Sequence, residues 1–231
     1  DPNIGIKITL DNYNLNNVIG NTKCNIFDIQ ILAKYVNLGN DEKDKFKNLS
    51  LEYKIEQVEI VNKISIKSNI DFNKKISLPL NYFVKFLIWN ITEDDYLGFN
   101  ENKNKFEFDS CKGIQKTSIQ LNGNQVISDF KENITRLIFR HNYFKCPETN
   151  INTKLIKKGE TDLNIHTYSF CLNPLENNLS GFISTEKFNK FVMNVQGFIE
   201  SNDDKLFTLN IYIIKNNIIR FKNGKMSILF N

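Results

Sequence analysis

From residue 51 to residue 230 the chain is a succession of short apolar runs of strand length. Each is broken by polar or turn-forming residues before a helical period can build up. The runs cover 51–61, 64–72, 82–91, 106–108, 114–121, 163–172, 188–195, 206–214, 218–221 and 226–230. Ahead of them Ile4-Gly5-Ile6-Lys7-Ile8-Thr9-Leu10 alternates apolar and polar side chains, the period of a half-buried strand. Residues 26–38 form a second β-branched and aromatic run. Asn122-Gly123-Asn124 is a turn signal, and the charged stretch 41–48 reads as a short helix or a solvated link. Residues 134–144 have apolar positions at mixed spacing that suit either a helix or a strand. Many short strands with few helices predict an all-β antiparallel sandwich or barrel. Nineteen Phe and eight Tyr in 231 residues supply bulky side chains suited to its core.

The residue types that run chemistry are sparse. The two histidines, His141 and His166, stand alone on apolar runs, and no HxH or HxD/E spacing offers a metal two imidazoles and a carboxylate. Phosphate-cradling glycine loops and nucleophile elbows are absent, and Asp94-Asp95 reads as the solvation of a turn. Neither a catalytic site nor a metal or other cofactor is expected. Cys24, Cys111, Cys146 and Cys171 are far apart, form no CxxC pair, and read as free thiols in a reducing compartment. Net charge is +4, with 30 basic and 26 acidic residues interspersed, which describes a solvated surface rather than a nucleic-acid footprint. No apolar run is long enough for a transmembrane helix.

One segment is more distinctive. Residues 168–184, YSFCLNPLENNLSGFIS, open like a buried strand, break at a proline, run polar and turn apolar again. This resembles the pattern YSFALxPEE…PSGxxNFS of the double jelly-roll major capsid proteins of nucleocytoplasmic large DNA viruses. Tyr168, Ser169, Phe170, Leu172, Pro174, Glu176, Ser180, Gly181 and Ser184 fall on it. Further motifs follow in the family's order. Residues 35–46 resemble YxFLDTxERRRF, and 51–58, with Tyr53, Glu56 and Gln57, resemble HEYLIEQVQ. Lys85 and Leu87-Ile88-Trp89 match KELIW, and Leu121-Asn122-Gly123 match LNG. The chain departs from the family where Leu179 replaces the proline of PSG, where Tyr82-Phe83 replace His-Pro, and where lysine or aspartate replaces the arginines of ERRRF.

The resemblance implies that residues 1–38 are the last strands of an N-terminal jelly roll, 39–51 a linker, and 52–231 the C-terminal jelly roll of a double jelly roll. It implies a structural protein, not an enzyme: a homotrimer forming pseudo-hexagonal capsomers of an icosahedral shell. Its partners would then be further copies of itself, neighbouring capsomers and minor capsid proteins, with no direct contact to nucleic acid. Its place would be the virion, after assembly in the host cytoplasm. The motif residues are expected to be architectural, with 173–180 an ordered turn whose loop meets a neighbour and 142–162 a further candidate for subunit contacts. A carbohydrate-binding β-sandwich and a metal-holding cupin-like enzyme stay as alternatives, and the departures from the family pattern leave open a minor or scaffold capsid paralogue.

Overall fold

A computed structural model describes residues 37–61, 63–93, 98–100, 105–107, 111–144, 164–176, 178–222 and 225–230. The expected strands before residue 37, the Asp94-Asp95 pair, Cys24, Cys146 and most of the loop 142–162 lie outside the described residues. By its internal contacts the chain divides into two units. One comprises 1–55, 98–107 and 218–229; the other comprises 56–97, 108–217 and 230–231.

The larger unit is built on two antiparallel sheets, of which residues 51–55, 218–222 and 225–228 are counted with the smaller unit. One sheet has the order β1 (Leu51–Ile60), β12 (Leu206–Lys222), β4 (Phe83–Glu93), β10 (Ile183–Ser184). Strands β2 (Ile64–Lys67) and β13 (Lys225–Ile228) also pair with β12, and β9 (His166–Ser169) pairs with β4. The second sheet runs β3 (Phe72–Ser77), β11 (Phe191–Gly197), β7 (Ile114–Leu121), β8 (Asn124–Lys131). Early strands therefore lie beside late ones in the nested pairs β1–β12, β3–β11, β4–β9 and β7–β8. That nesting is the jelly roll expected from the sequence.

The core lies between the sheets. Val84, Leu87, Trp89 and Ile91 of β4 meet Phe207, Leu209, Ile211 and Ile213 of β12, and face Ile119, Phe191, Met193 and Val195 of the other sheet. Each such side chain, fully buried, contributes roughly 1.5–3 kcal/mol. Phe86 and Ile88 point to the opposite face of β4. There they join Ile214 and Tyr212 under Phe144 and Tyr143 of α2 (Phe139–Phe144), so β4 is covered on both faces. This is why its sequence is an almost continuous apolar run rather than an alternating one.

Several expected boundaries move. The run 64–72 is two strands separated by a turn at Asn69, whose φ is 58° and whose Oδ1 accepts the Ser201 N–H at 3.0 Å. The runs 206–214 and 218–221 are one continuous strand. Residues 134–144 are helical, a π-helical turn at Ile134–Ile138 leading into α2. Strand β8 was not foreseen, because NQVISDFK has a mostly exposed, polar outer face and presents only Ile127 fully to the core.

In the smaller unit, α1 (Asn40–Asn48) resolves the charged stretch as a helix. Glu42 Oε2 accepts the Gly39 N–H at 3.0 Å, and Asp41 and Glu42 place negative charge on its first turn. Also in this unit, Glu52 Oε1 accepts hydrogen bonds from Arg220 at 2.7 Å, the Tyr53 ring meets Phe221 edge-on at 5.9 Å, and β5 (Gly98–Asn100) pairs with β6 (Lys105–Glu107).

Candidate functional site

The segment 168–184 starts at β9, where Tyr168 pairs with Leu87 and Ser169 with Phe86 of β4. The strand was expected to run on to Leu172 with every second side chain inward. It stops at Ser169, and Leu172 is 74% exposed. The cause is local. Ser169 Oγ donates to the Cys171 carbonyl at 2.6 Å and accepts the Cys171 N–H at 3.2 Å, drawing the backbone out of the ladder. Tyr168 and Phe170 are partly buried against the core, with their rings 5.0 Å apart edge-on. Burial first, and then Tyr143, raises the Tyr168 pKa.

Beyond that point the chain forms a closed loop. Ser180 Oγ accepts the Asn173 N–H at 2.9 Å and donates to the Asn173 carbonyl at 3.2 Å, while the Leu172 N–H reaches the Ser180 carbonyl at 3.3 Å. Pro174, buried at the first bend, fixes its own φ, and the Glu176 N–H closes the bend onto the Asn173 carbonyl at 3.3 Å. Gly181 has φ +137°, and a Cβ there would lie 3.2 Å from both the Cys171 Cα and the Phe170 oxygen. Backbone packs on backbone at that crossing, which requires glycine.

The loop is tied to the sheet by Lys85. In the β4–β12 ladder Ile214 faces Phe86 and Lys215 faces Val84, so Lys85 is the extra residue of a bulge. A bulge re-aims the side chain it carries. The Lys85 ammonium, in a side chain only 1% exposed, binds Glu56 Oε1 and donates to the Glu176 carbonyl at 3.1 Å; the Lys85 carbonyl accepts the Phe170 N–H at 3.0 Å. One buried cation thus joins three sequence motifs: Glu56 of β1, Lys85 of β4 and Glu176 of the loop. Next to Glu56, Gln57 Oε1 accepts from Asn217 Nδ2 at 2.7 Å, and Asn217 also holds the backbone of Phe230. After the loop, Thr185 Oγ1 accepts the Tyr82 N–H at 2.9 Å and donates to the Tyr82 carbonyl at 3.1 Å.

What this frame displays is apolar. Leu172, Leu175, Leu179 and Phe182 are 74%, 64%, 60% and 45% exposed. The Phe182 ring meets Phe83 edge-on at 5.2 Å. Four large apolar side chains thus stand out from a loop whose ends are tied by hydrogen bonds.

The other motif residues lie elsewhere. Leu87 and Trp89 are core, and Ile88 packs on the outer face. Leu121 is buried, while Asn122 and Gly123, at φ 51° and 87°, make the two-residue hairpin turn between β7 and β8. Asn122 Oδ1 accepts the N–H groups of Asn189 and Lys190 at 2.7 and 3.0 Å. Tyr53 belongs to the smaller unit. The roles of Asn217 and Thr185 were missed, since a lone Asn or Thr in an apolar run carries no signal of a backbone clasp. Cys111 is half-buried and Cys171 buried, neither in a disulfide, and among the described residues no three His, Cys, Asp or Glu side chains cluster to hold a metal ion.

Comparison with known proteins bears on this arrangement. No family model matches the chain. It is 27% identical over 221 residues to the major capsid protein of Pyramimonas orientalis virus, covering 91% of this chain and 52% of that protein. The chain is thus similar in sequence to a viral major capsid protein. Among solved structures it resembles PBCV-1 VP54 with a TM-score of 0.58 at 18% identity, covering 84% of this chain and 55% of VP54. A quasi-atomic model of the PBCV-1 capsid gives a TM-score of 0.59 at 17% identity. These likenesses show the capsid-protein fold. The chain spans about half the length of the relatives it matches.

Proposed function

We propose that this chain is part of a structural protein of a viral shell. Residues 52–231 are its C-terminal jelly roll, 1–38 the end of a preceding one, and 39–51 the link between them. In this reading three copies associate into a pseudo-hexagonal capsomer, and capsomers, with minor capsid proteins, tile an icosahedral shell assembled in the host cytoplasm. The protein carries no catalytic role. The observation that carries the reading is the nested sandwich in a chain 27% identical over 221 residues to a major capsid protein.

The loop 172–182 supplies part of the subunit contact. Its leucines extend from a frame held by Lys85, Ser180 and Gly181, so little ordering entropy is lost when a neighbour covers them. Stable subunit interfaces of this class bury about 2,000 Å² or more. The loop is then one patch within a larger contact. Purifying the full-length gene product and measuring its mass in solution tests the reading. A trimer is expected at micromolar concentration, and a stable monomer there contradicts it.

A further inference from the structure

His166 takes no part in the loop or its anchor, yet it is one of the most enclosed polar groups in the molecule, at 2% exposure. It lies across from Trp89 in the β9–β4 ladder, with the two rings stacked at 5.8 Å and 19°. Its Nδ1 is 2.9 Å from the hydroxyl of Thr135, a fully buried residue of the π-helical turn. Thr135 Oγ1 also lies 3.2 Å from the Glu132 carbonyl, which it can reach as a donor. The helical segment 134–144 thus seals one side of the sandwich through a hydrogen bond to an imidazole.

The charged surroundings of that imidazole are one-sided. From the helical turn, Arg136 adds positive charge, and its guanidinium is paired with Glu132 at 2.9 Å. From β4 the neighbour is the Trp89 ring, and β9 contributes Tyr168, which itself faces Tyr143 of α2. The remaining titratable groups of α2 are Arg140 and His141. Among the described residues no hydrogen bond or ion pair gives His166 a carboxylate. A cation formed there would be desolvated and beside an arginine. Burial first, and then Arg136, lowers the His166 pKa to about 4.

The segment above it is the kind that can open. A π-helical turn is a rare interruption of the α-helical ladder, and Leu137 and Ile138 face outward at 50% and 48% exposure. Besides Thr135, its contacts with the body include Phe139 against Phe130 and Tyr168, each at 5.5 Å, Phe144 against Phe86 at 5.0 Å, and Tyr143 in the same apolar cluster.

We propose that His166 is an acid-sensitive latch: its enclosed, arginine-flanked site has no carboxylate among the described residues to receive a cation, so acid favours an open form in which residues 134–144 lift away, the imidazole reaches water and the apolar outer face of β4 and β12 is uncovered. Opening lets His166 return to its ordinary pKa of 6.5, so the open state binds a proton that the closed state refuses between pH 6.5 and about 4. The latch is closed above pH 6.5 and weakens as pH falls through that window.

Amide hydrogen exchange on the full chain at pH 7 and pH 5, corrected for the intrinsic pH dependence of exchange, tests this. Opening of 134–144 is expected to increase about 20-fold, while the amides of β7 and β11 keep their protection. In His166→Gln, a neutral side chain, the acid response of the segment is expected to vanish. Equal protection of the segment at both pH values in the wild type, or an undiminished acid response in the variant, overturns the latch. Should the variant not fold, the imidazole resonances of the wild type decide. Titration of His166 together with exchange in 134–144 supports the latch; titration near 6.5 with the segment still closed overturns it.

Discussion

The hairpin turn at Asn122-Gly123 and the loop from Leu172 to Phe182 solve the same problem in different ways. Both reverse the chain at the end of a strand, both contain a glycine at positive φ, and both fall on sequence motifs. The turn does nothing more. Its glycine would meet no atom within 4 Å if it carried a Cβ, so only φ requires it, and Asn122 spends its oxygen on neighbouring backbone. The loop uses Ser180, Gly181 and the buried Lys85 to hold four large apolar side chains in water. A turn that only closes a sheet needs no anchor in the core; a loop that presents a surface does.

The sharpest way to break this contrast is through Glu56. Its side chain is 38% exposed, whereas that of Lys85 is 1% exposed, so the two halves of the pair are not equivalent. Glu56→Ala strands a buried ammonium and is expected to cost about 3 kcal/mol in denaturant unfolding. Lys85→Met leaves a carboxylate that water can reach and is expected to cost about 1 kcal/mol or less. Combining the two should recover most of the Glu56→Ala loss, a coupling that a double-mutant cycle reads directly.

Next in size is the glycine pair. Gly181→Ala meets both an unfavourable φ and backbone atoms at 3.2 Å, with an expected cost of about 2–3 kcal/mol. Gly123→Ala meets only the φ, at about 1 kcal/mol. Equal costs in thermal or denaturant unfolding would remove the distinction between the two reversals.

How much of this could be read from the sequence follows from which faces are buried. Strands β4, β7 and β12 were legible because they carry apolar side chains to the core, and β4 was the plainest because α2 covers its second face. Strand β1 was legible from its β-branched and aromatic content alone, since none of its residues is buried. Strand β8 escaped because an edge strand with a polar outer face has no apolar run to see. Residues 134–144 were ambiguous because their apolar side chains serve both the core and the surface. The LNG and YSF motifs could be found, but not what they do. The bulge that aims Lys85 is set by register against β12, more than a hundred residues away, and nothing local announces it. For Leu172, strand periodicity pointed inward, and the Ser169 hydroxyl turned the chain first.

The smallest stability effect accompanies the most direct test. Replacing Leu172, Leu175 and Leu179 together by Asp changes only exposed positions, so the melting temperature should barely move, within about 0.5 kcal/mol per site. Sedimentation of the full-length protein and of this variant at the same micromolar concentration measures whether the loop is a subunit contact. The account predicts a trimer for the wild type and a folded monomer for the variant. A variant that sediments as the wild type does, with the same oligomeric state, would contradict it.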